Sequence, residues 1–121
     1  MLAELARHGN TDSAFERHVR CYLCDHGFRP YPDVYPLRVE GRLIAMLDIA
    51  FPLERVYVEI DGRRFHSDRN AFRADRVRNN EIAARAPDWL GLRLARAEFE
   101  QAPQRFLTQL SATLQARRRV A

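Results

Sequence analysis

The sequence predicts an α/β (α+β) protein of order α-β-β-β-α-β-α, with a central mixed sheet flanked by helices. Three observations carry that expectation. Apolar residues recur at helical spacing in residues 13–25 and again after Pro103. Residues 34–60 hold extended apolar runs broken by turn residues, and residues 90–95 alternate with the period of a strand. A chain of 121 residues, 46% apolar, is the size of one domain around one core.

Taken in order, Thr11, Asp12 or Ser13 can cap the first helix, where Phe15, Val19, Tyr22 and Leu23 form one stripe and Gly27 marks the end. The proline-punctuated FRPYPDVYP leads into an extended segment at residues 34–39, and Glu40, Gly41 and Arg42 make a turn. Residues 43–51 (LIAMLDIAF) are apolar on both faces, as in a covered central strand, with Asp48 the lone charge. After a second turn at residues 52–54 comes VYVEID, in which Val56, Val58 and Ile60 share one face and Glu59 and Asp61 the other. Ser67 or Asp68 can cap a second helix that runs to about Arg85 and is stopped by Pro87. Leu90, Leu92 and Leu94 then mark a half-buried strand. A last helix begins near Pro103, packs through Phe106, Leu107, Leu110 and Leu114, and ends in a basic tail at residues 115–121. The core of the single domain is expected to span residues 13–114.

Composition narrows the function. No run approaches the roughly 18 apolar residues of a membrane span, and residues 1–12 lack the basic-then-apolar order of a signal peptide. The expectation is a cytoplasmic protein without a membrane partner. All 20 basic side chains are arginine, so chemistry that needs a lysine amine is excluded. A net charge of +4 and a pI near 9.7 favour an anionic partner. Cys21 and Cys24, with His18 and His26 nearby, have the superficial spacing of a zinc knuckle. One continuous helix cannot fold four such ligands around a tetrahedral ion, so the cysteines read as reduced thiols.

The acids are the chemically informative residues. If residues 52–55 form a hairpin loop, Phe51 faces Val56 and Ala50 faces Tyr57, and Asp48 falls directly opposite Glu59. Opposed Cβ atoms lie about 4.5–5.5 Å apart, and like charges so placed need compensation. A divalent cation supplies it, and oxygen-only donors suit Mg²⁺ or Mn²⁺. Such an ion clamps a phosphate and activates water. The competing reading makes both acids solvated, or separated by a register slip. Against it, Asp48 interrupts an apolar run, where an unpaired charge costs several kcal/mol. Glu16 repeats the pattern on the first helix, either as a third acid that holds water or as the partner of Arg20 one turn on.

The run D48-IAFPLERVYV-E59-I-D61-G62-RRF-H66, followed by D75-R76-V-R78-N79, resembles a bacterial domain of unknown function related to the very-short-patch-repair endonucleases, within the PD-(D/E)XK nuclease superfamily. The resemblance covers about residues 13–114 and implies a restriction-endonuclease-like core. It implies that Asp48 and Glu59 are the metal-binding acids, with the Ile60 carbonyl as a further ligand, and that Glu16 is the acid of the first helix. By the same resemblance His66 is the histidine used beside the metal. Two departures stand out. The superfamily's lysine position holds Asp61, and Pro87-Asp88-Trp89 replaces the usual glycine and tryptophan before the last strand. In place of the lysine, His66 serves as general base or acid, or Asp61 recruits a second ion, or the chain is a catalytically degenerate nuclease. His66 also has a plain reading, packing on the sheet or capping the next helix.

Six arginines (63, 64, 69, 73, 76 and 78) stand against two aspartates between residues 62 and 78, which puts the whole net charge beside the acids. Arg69, Arg73 and Arg76 form one helical stripe that can follow a phosphate backbone, or a solvated face with Asp68 and Asp75 as partners. The combined expectation is a Mg²⁺- or Mn²⁺-dependent DNA endonuclease acting in repair or defence. The alternative is a DNA-binding or regulatory module that kept the fold and lost catalysis. With no base-reading module in the sequence, specificity would come from a homodimer, an additional DNA-reading domain or a partner.

Overall fold

The computed structural model describes the backbone of residues 2–61 and 69–120 and the side chains of residues 13–61 and 76–119. Nine elements follow in order: α1 (Leu2–Asp25), β1 (Tyr35–Val39), β2 (Arg42–Leu47), β3 (Ile49–Phe51), β4 (Val56–Asp61), α2 (Arg69–Arg85), β5 (Leu90–Ala95), α3 (Arg96–Gln101) and α4 (Pro103–Val120). The architecture is α+β. A mixed sheet of order β3-β4-β5, antiparallel then parallel, is accompanied by a separate antiparallel ribbon, β1-β2. No helix among the described residues is long and apolar enough to cross a membrane.

Helix α1 buries Phe15, Val19 and Leu23 at successive turns. It closes as expected at Gly27, whose φ of +90° favours glycine. There the Phe28 N–H donates to Leu23 O at 3.0 Å and the Gly27 N–H to Cys24 O at 3.2 Å, the two bonds of a Schellman motif. The start differs from expectation. Residues 11–13 lie inside the helix and not at its start, because MLAELARH is built of good helix formers and Gly9 alone costs only about 1 kcal/mol.

The expected single strand over residues 43–51 is two strands. It breaks at Asp48, so that β2 pairs with β1 while β3 pairs with β4, and the one central sheet becomes a ribbon and a sheet. The physical reason is local. Asp48 turns its carboxylate onto the backbone, Oδ2 accepting from the Ile60 N–H at 3.1 Å where a ladder carbonyl would otherwise stand. Glu40 and Gly41, at φ 53° and 80°, make the tight turn of the ribbon, and a bulge between Leu37 and Arg38 shifts its register.

The β3–β4 hairpin has the expected register, Phe51 opposite Val56 and Ala50 opposite Tyr57. In the parallel pair, Tyr57 faces Gly91 and Glu59 faces Arg93. A Cβ at Gly91 would lie 2.4 Å from Tyr57 Cζ, so the ring needs that glycine. Helix α3 was not anticipated. Its six residues are too short to show a period, and they bury Phe99 against Phe15 and Tyr22, with ring centroids 5.7 and 5.2 Å apart. Pro103 opens α4, which buries Phe106, Leu107, Leu110 and Leu114 as expected.

The expected basic tail is the last turn of α4, and its arginines hold loops. Arg117 Nε donates to Glu54 O at 3.0 Å and its NH2 to Asp88 O, while Arg118 Nε reaches Glu54 Oε2 at 2.7 Å. These bonds fasten the β3–β4 turn and the loop before β5 to α4.

Two apolar clusters sandwich the sheet. One joins α1, α3 and α4 to Ile49, Phe51, Val56, Val58 and Leu94. The other joins the ribbon and α2 to Ala50 and Tyr57 through Leu37, Leu47, Ile82 and Ala86. Both faces are therefore covered, which sets the environment of every charge on β4.

Candidate active site

Alternation along β4 sends Val56 and Val58 to the first cluster and Tyr57 to the second, and Glu59 follows Tyr57. Asp48 stands one step beyond the last ladder pair, Ile49–Val58, which brings it beside Glu59 in register, as the sequence predicts. Glu59 is only 6% exposed, so the reading of solvated acids on an open face is excluded for it.

A carboxylate buried this far requires a positive partner. Arg78 supplies one from α2: NH1 donates to Glu59 Oε1 at 2.7 Å and NH2 to Oε2 at 2.9 Å, a fork on a fork. The same NH2 also donates to Met46 O at 2.5 Å, tying the ribbon to the pair. Arg78 was expected among the nucleic-acid contacts, and the structure places it on Glu59 instead. The signal was present in the sequence: Arg78 lies one turn before Ile82 and two before Ala86, the buried face of α2, off the stripe of Arg69, Arg73 and Arg76.

Two more arginines attend the acids. Arg20 NH2 on α1 donates to the backbone carbonyl of Asp48 at 2.7 Å and so braces the bend between β2 and β3. Its Nε is buried without a partner among the described residues. Arg93 NH2 on β5 donates to Asp61 Oδ1 at 2.7 Å at the half-exposed rim. Neither contact was foreseen. Arg93 was legible only once β5 was known to run parallel to β4, because that register sets it beside Glu59 and within reach of Asp61. Glu16 is half-buried on α1, one turn before Arg20. Arg76 is exposed on α2, and Arg69 and Arg73 belong to the same helix, with side chains outside the described residues. Arg63, Arg64 and His66, and the proposed caps Ser67 and Asp68, also lie outside the described residues.

Asp48 and Glu59 stand side by side, with Asp48 Oδ2 held by the Ile60 N–H, and both side chains carry only oxygen donors. No group of three or more His, Cys, Asp or Glu that could hold a metal occurs among the described residues. What is assembled is a pair. Mg²⁺ keeps several of its waters and binds proteins through one or two carboxylates, so a pair fits Mg²⁺ or Mn²⁺ and does not fit a closed zinc site. Cys21 and Cys24 are free and exposed on α1, in keeping with the thiol reading.

The fold and site thus define an α+β protein with an acid pair compensated by arginine at the join of a ribbon and a mixed sheet. No protein-family model, no curated protein and no solved structure matches this chain.

Proposed function

We propose that this chain is a metal-dependent DNA endonuclease of restriction-endonuclease-like architecture that hydrolyses phosphodiester bonds. The observation that carries the reading is the placement of Asp48 beside the buried Glu59 where the ribbon meets the sheet, two neighbouring carboxylates of the kind that hold Mg²⁺ or Mn²⁺. Asp48 and Glu59 would hold Mg²⁺ or Mn²⁺, together with the Ile60 carbonyl. When bound, such an ion supplies Lewis acidity toward a phosphate oxygen and toward water.

The chain's own residues do the rest. Asp48 fixes the strand end at Ile60 through the backbone bond, and Arg20 holds Asp48's own carbonyl, so the pair is preorganised from α1 and β4. Asp61 at the rim, and Glu16 on α1, position water. His66 takes the proton from the attacking water or delivers one to the leaving oxygen. Arg63, Arg64, Arg69, Arg73 and Arg76 meet the phosphate backbone.

Plasmid DNA incubated with the purified chain and Mg²⁺ or Mn²⁺ tests this. Cutting by the parent, with Asp48→Ala folded and inactive, supports the reading; equal cutting by Asp48→Ala ends it.

A second reading, a catalytically degenerate DNA-binding module, is favoured by a specific observation: Arg78 already neutralises Glu59. Asp61 at the lysine position points the same way. Calorimetry without DNA separates the two. The second reading predicts no heat with Mn²⁺ while DNA binding persists and weakens steeply with salt.

A further inference from the structure

Arg78 raises a question that the endonuclease reading, on which this inference rests, does not answer. Both terminal nitrogens of its guanidinium lie on the two oxygens of Glu59, the carboxylate that the cation would use. We propose that Arg78 is an internal counter-ion that competes with the divalent cation for Glu59, so that cation entry opens the fork and turns Arg78 toward a substrate phosphate.

Two observations support the exchange. The charge requirement is the same in both states: Glu59 is buried beside Asp48 and needs a cation at all times, so the guanidinium holds the site together when no metal is bound. Of the two partners it is the guanidinium that solvent reaches, the Arg78 side chain being 25% exposed and that of Glu59 8%. A phosphate offers it the bidentate partner it gives up, because guanidinium forks match phosphate oxygens as well as carboxylates.

The closed fork lowers the apparent affinity for metal by the fraction of molecules in which it is open. Metal and DNA both favour the open state, so each raises the affinity for the other by the same factor. Arg78 is in this sense a positioning residue that couples two ligands.

The test is titration of Mn²⁺ into the whole chain by calorimetry, for the parent and for Arg78→Gln, followed by thermal unfolding with and without Mn²⁺. Removing the competitor is expected to tighten the Mn²⁺ dissociation constant about tenfold. Mn²⁺ is also expected to raise the unfolding temperature of the variant by more than that of the parent. A merely structural Arg78 predicts unchanged or weaker binding in the variant, and that result overturns the inference while leaving the metal site standing. Absence of Mn²⁺ binding in both proteins overturns the metal site and the inference together. Arg78→Lys keeps the charge and one bond, and covers the case in which Arg78→Gln fails to fold; tightening of about threefold is expected, and none overturns the inference. Persistence of the Mn²⁺ heat in Asp48→Asn/Glu59→Gln overturns it as well, because the ion then sits elsewhere.

Discussion

The two faces of the β3-β4-β5 sheet solve the same burial problem with different materials. Toward α1, α3 and α4 the sheet presents Ile49, Phe51, Val56, Val58 and Leu94, packed in a cluster with Phe15, Val19, Leu23, Phe106 and Leu110. Toward the ribbon and α2 it presents Ala50 and Tyr57, and then, one residue pair further along β4, Glu59 with Arg78. The apolar face has one way to be stable, which is to be full. The other face embeds a charge, the Glu59 carboxylate, gripped by the Arg78 fork. An apolar face and a charge-bearing face are thus built from alternate residues of one strand.

The largest effect expected from this comparison comes from breaking the charged face by halves. Arg78→Met strands the Glu59 carboxylate, and a loss of about 3–5 kcal/mol is expected in urea unfolding at neutral pH. Removing both charges, in Glu59→Leu/Arg78→Met, is expected to restore most of that loss, since apolar replacement of a buried pair is often neutral. If the double variant is as unstable as the single one, the face is held by something other than the pair.

The apolar face has no such rescue. Leu110 is fully buried, and Leu110→Ala is expected to cost about 3 kcal/mol through lost transfer energy and a residual cavity. Its check is the denaturation midpoint measured with and without Mn²⁺. The loss should be the same in both, because this cluster contains no group that a cation reaches.

The same contrast explains what was legible in the sequence. The apolar face was, because periodicity reports burial: Phe15, Val19 and Leu23 on α1 and Phe106, Leu110 and Leu114 on α4 lie where their spacing puts them. The hairpin register was also legible, since Phe51–Val56 follows from loop length, and with it the approach of Asp48 to Glu59. The break at Asp48 was not. Eight apolar residues around one acid look the same to a period whether they form one strand or two, and the difference lies in a side chain bonded to the Ile60 N–H twelve residues on. Arginine partners were hardest. The stripe of α2 separates Arg78 from Arg69, Arg73 and Arg76, but that Arg78 meets Glu59 and Arg93 meets Asp61 is a tertiary fact, set by how α2 and β5 dock on β4.

Next in expected size, below both faces, stands Gly91→Ala. Its new methyl would collide with the Tyr57 ring, which is 7% exposed and packs near Trp89 at a centroid distance of 6.5 Å. The ring must shift within the second cluster, at a cost of about 1–3 kcal/mol. Near-ultraviolet circular dichroism of the variant should report it as a changed aromatic signal, with the far-ultraviolet spectrum kept.

The smallest effect falls at the rim, and it sharpens the comparison most. Arg93 and Asp61 make a bond as short as those of the buried fork, 2.7 Å, yet their side chains are 47% and 32% exposed. Water screens such a pair, and Arg93→Ala is expected to cost no more than about 1 kcal/mol, falling further in high salt. The distance is the same as in Arg78–Glu59, but the burial and the second bond of the fork differ. A stability loss at Arg93 as large as that at Arg78, unaffected by salt, would mean that neither burial nor the fork sets what such a pair contributes, and the contrast between the buried pair and the screened rim pair would not stand.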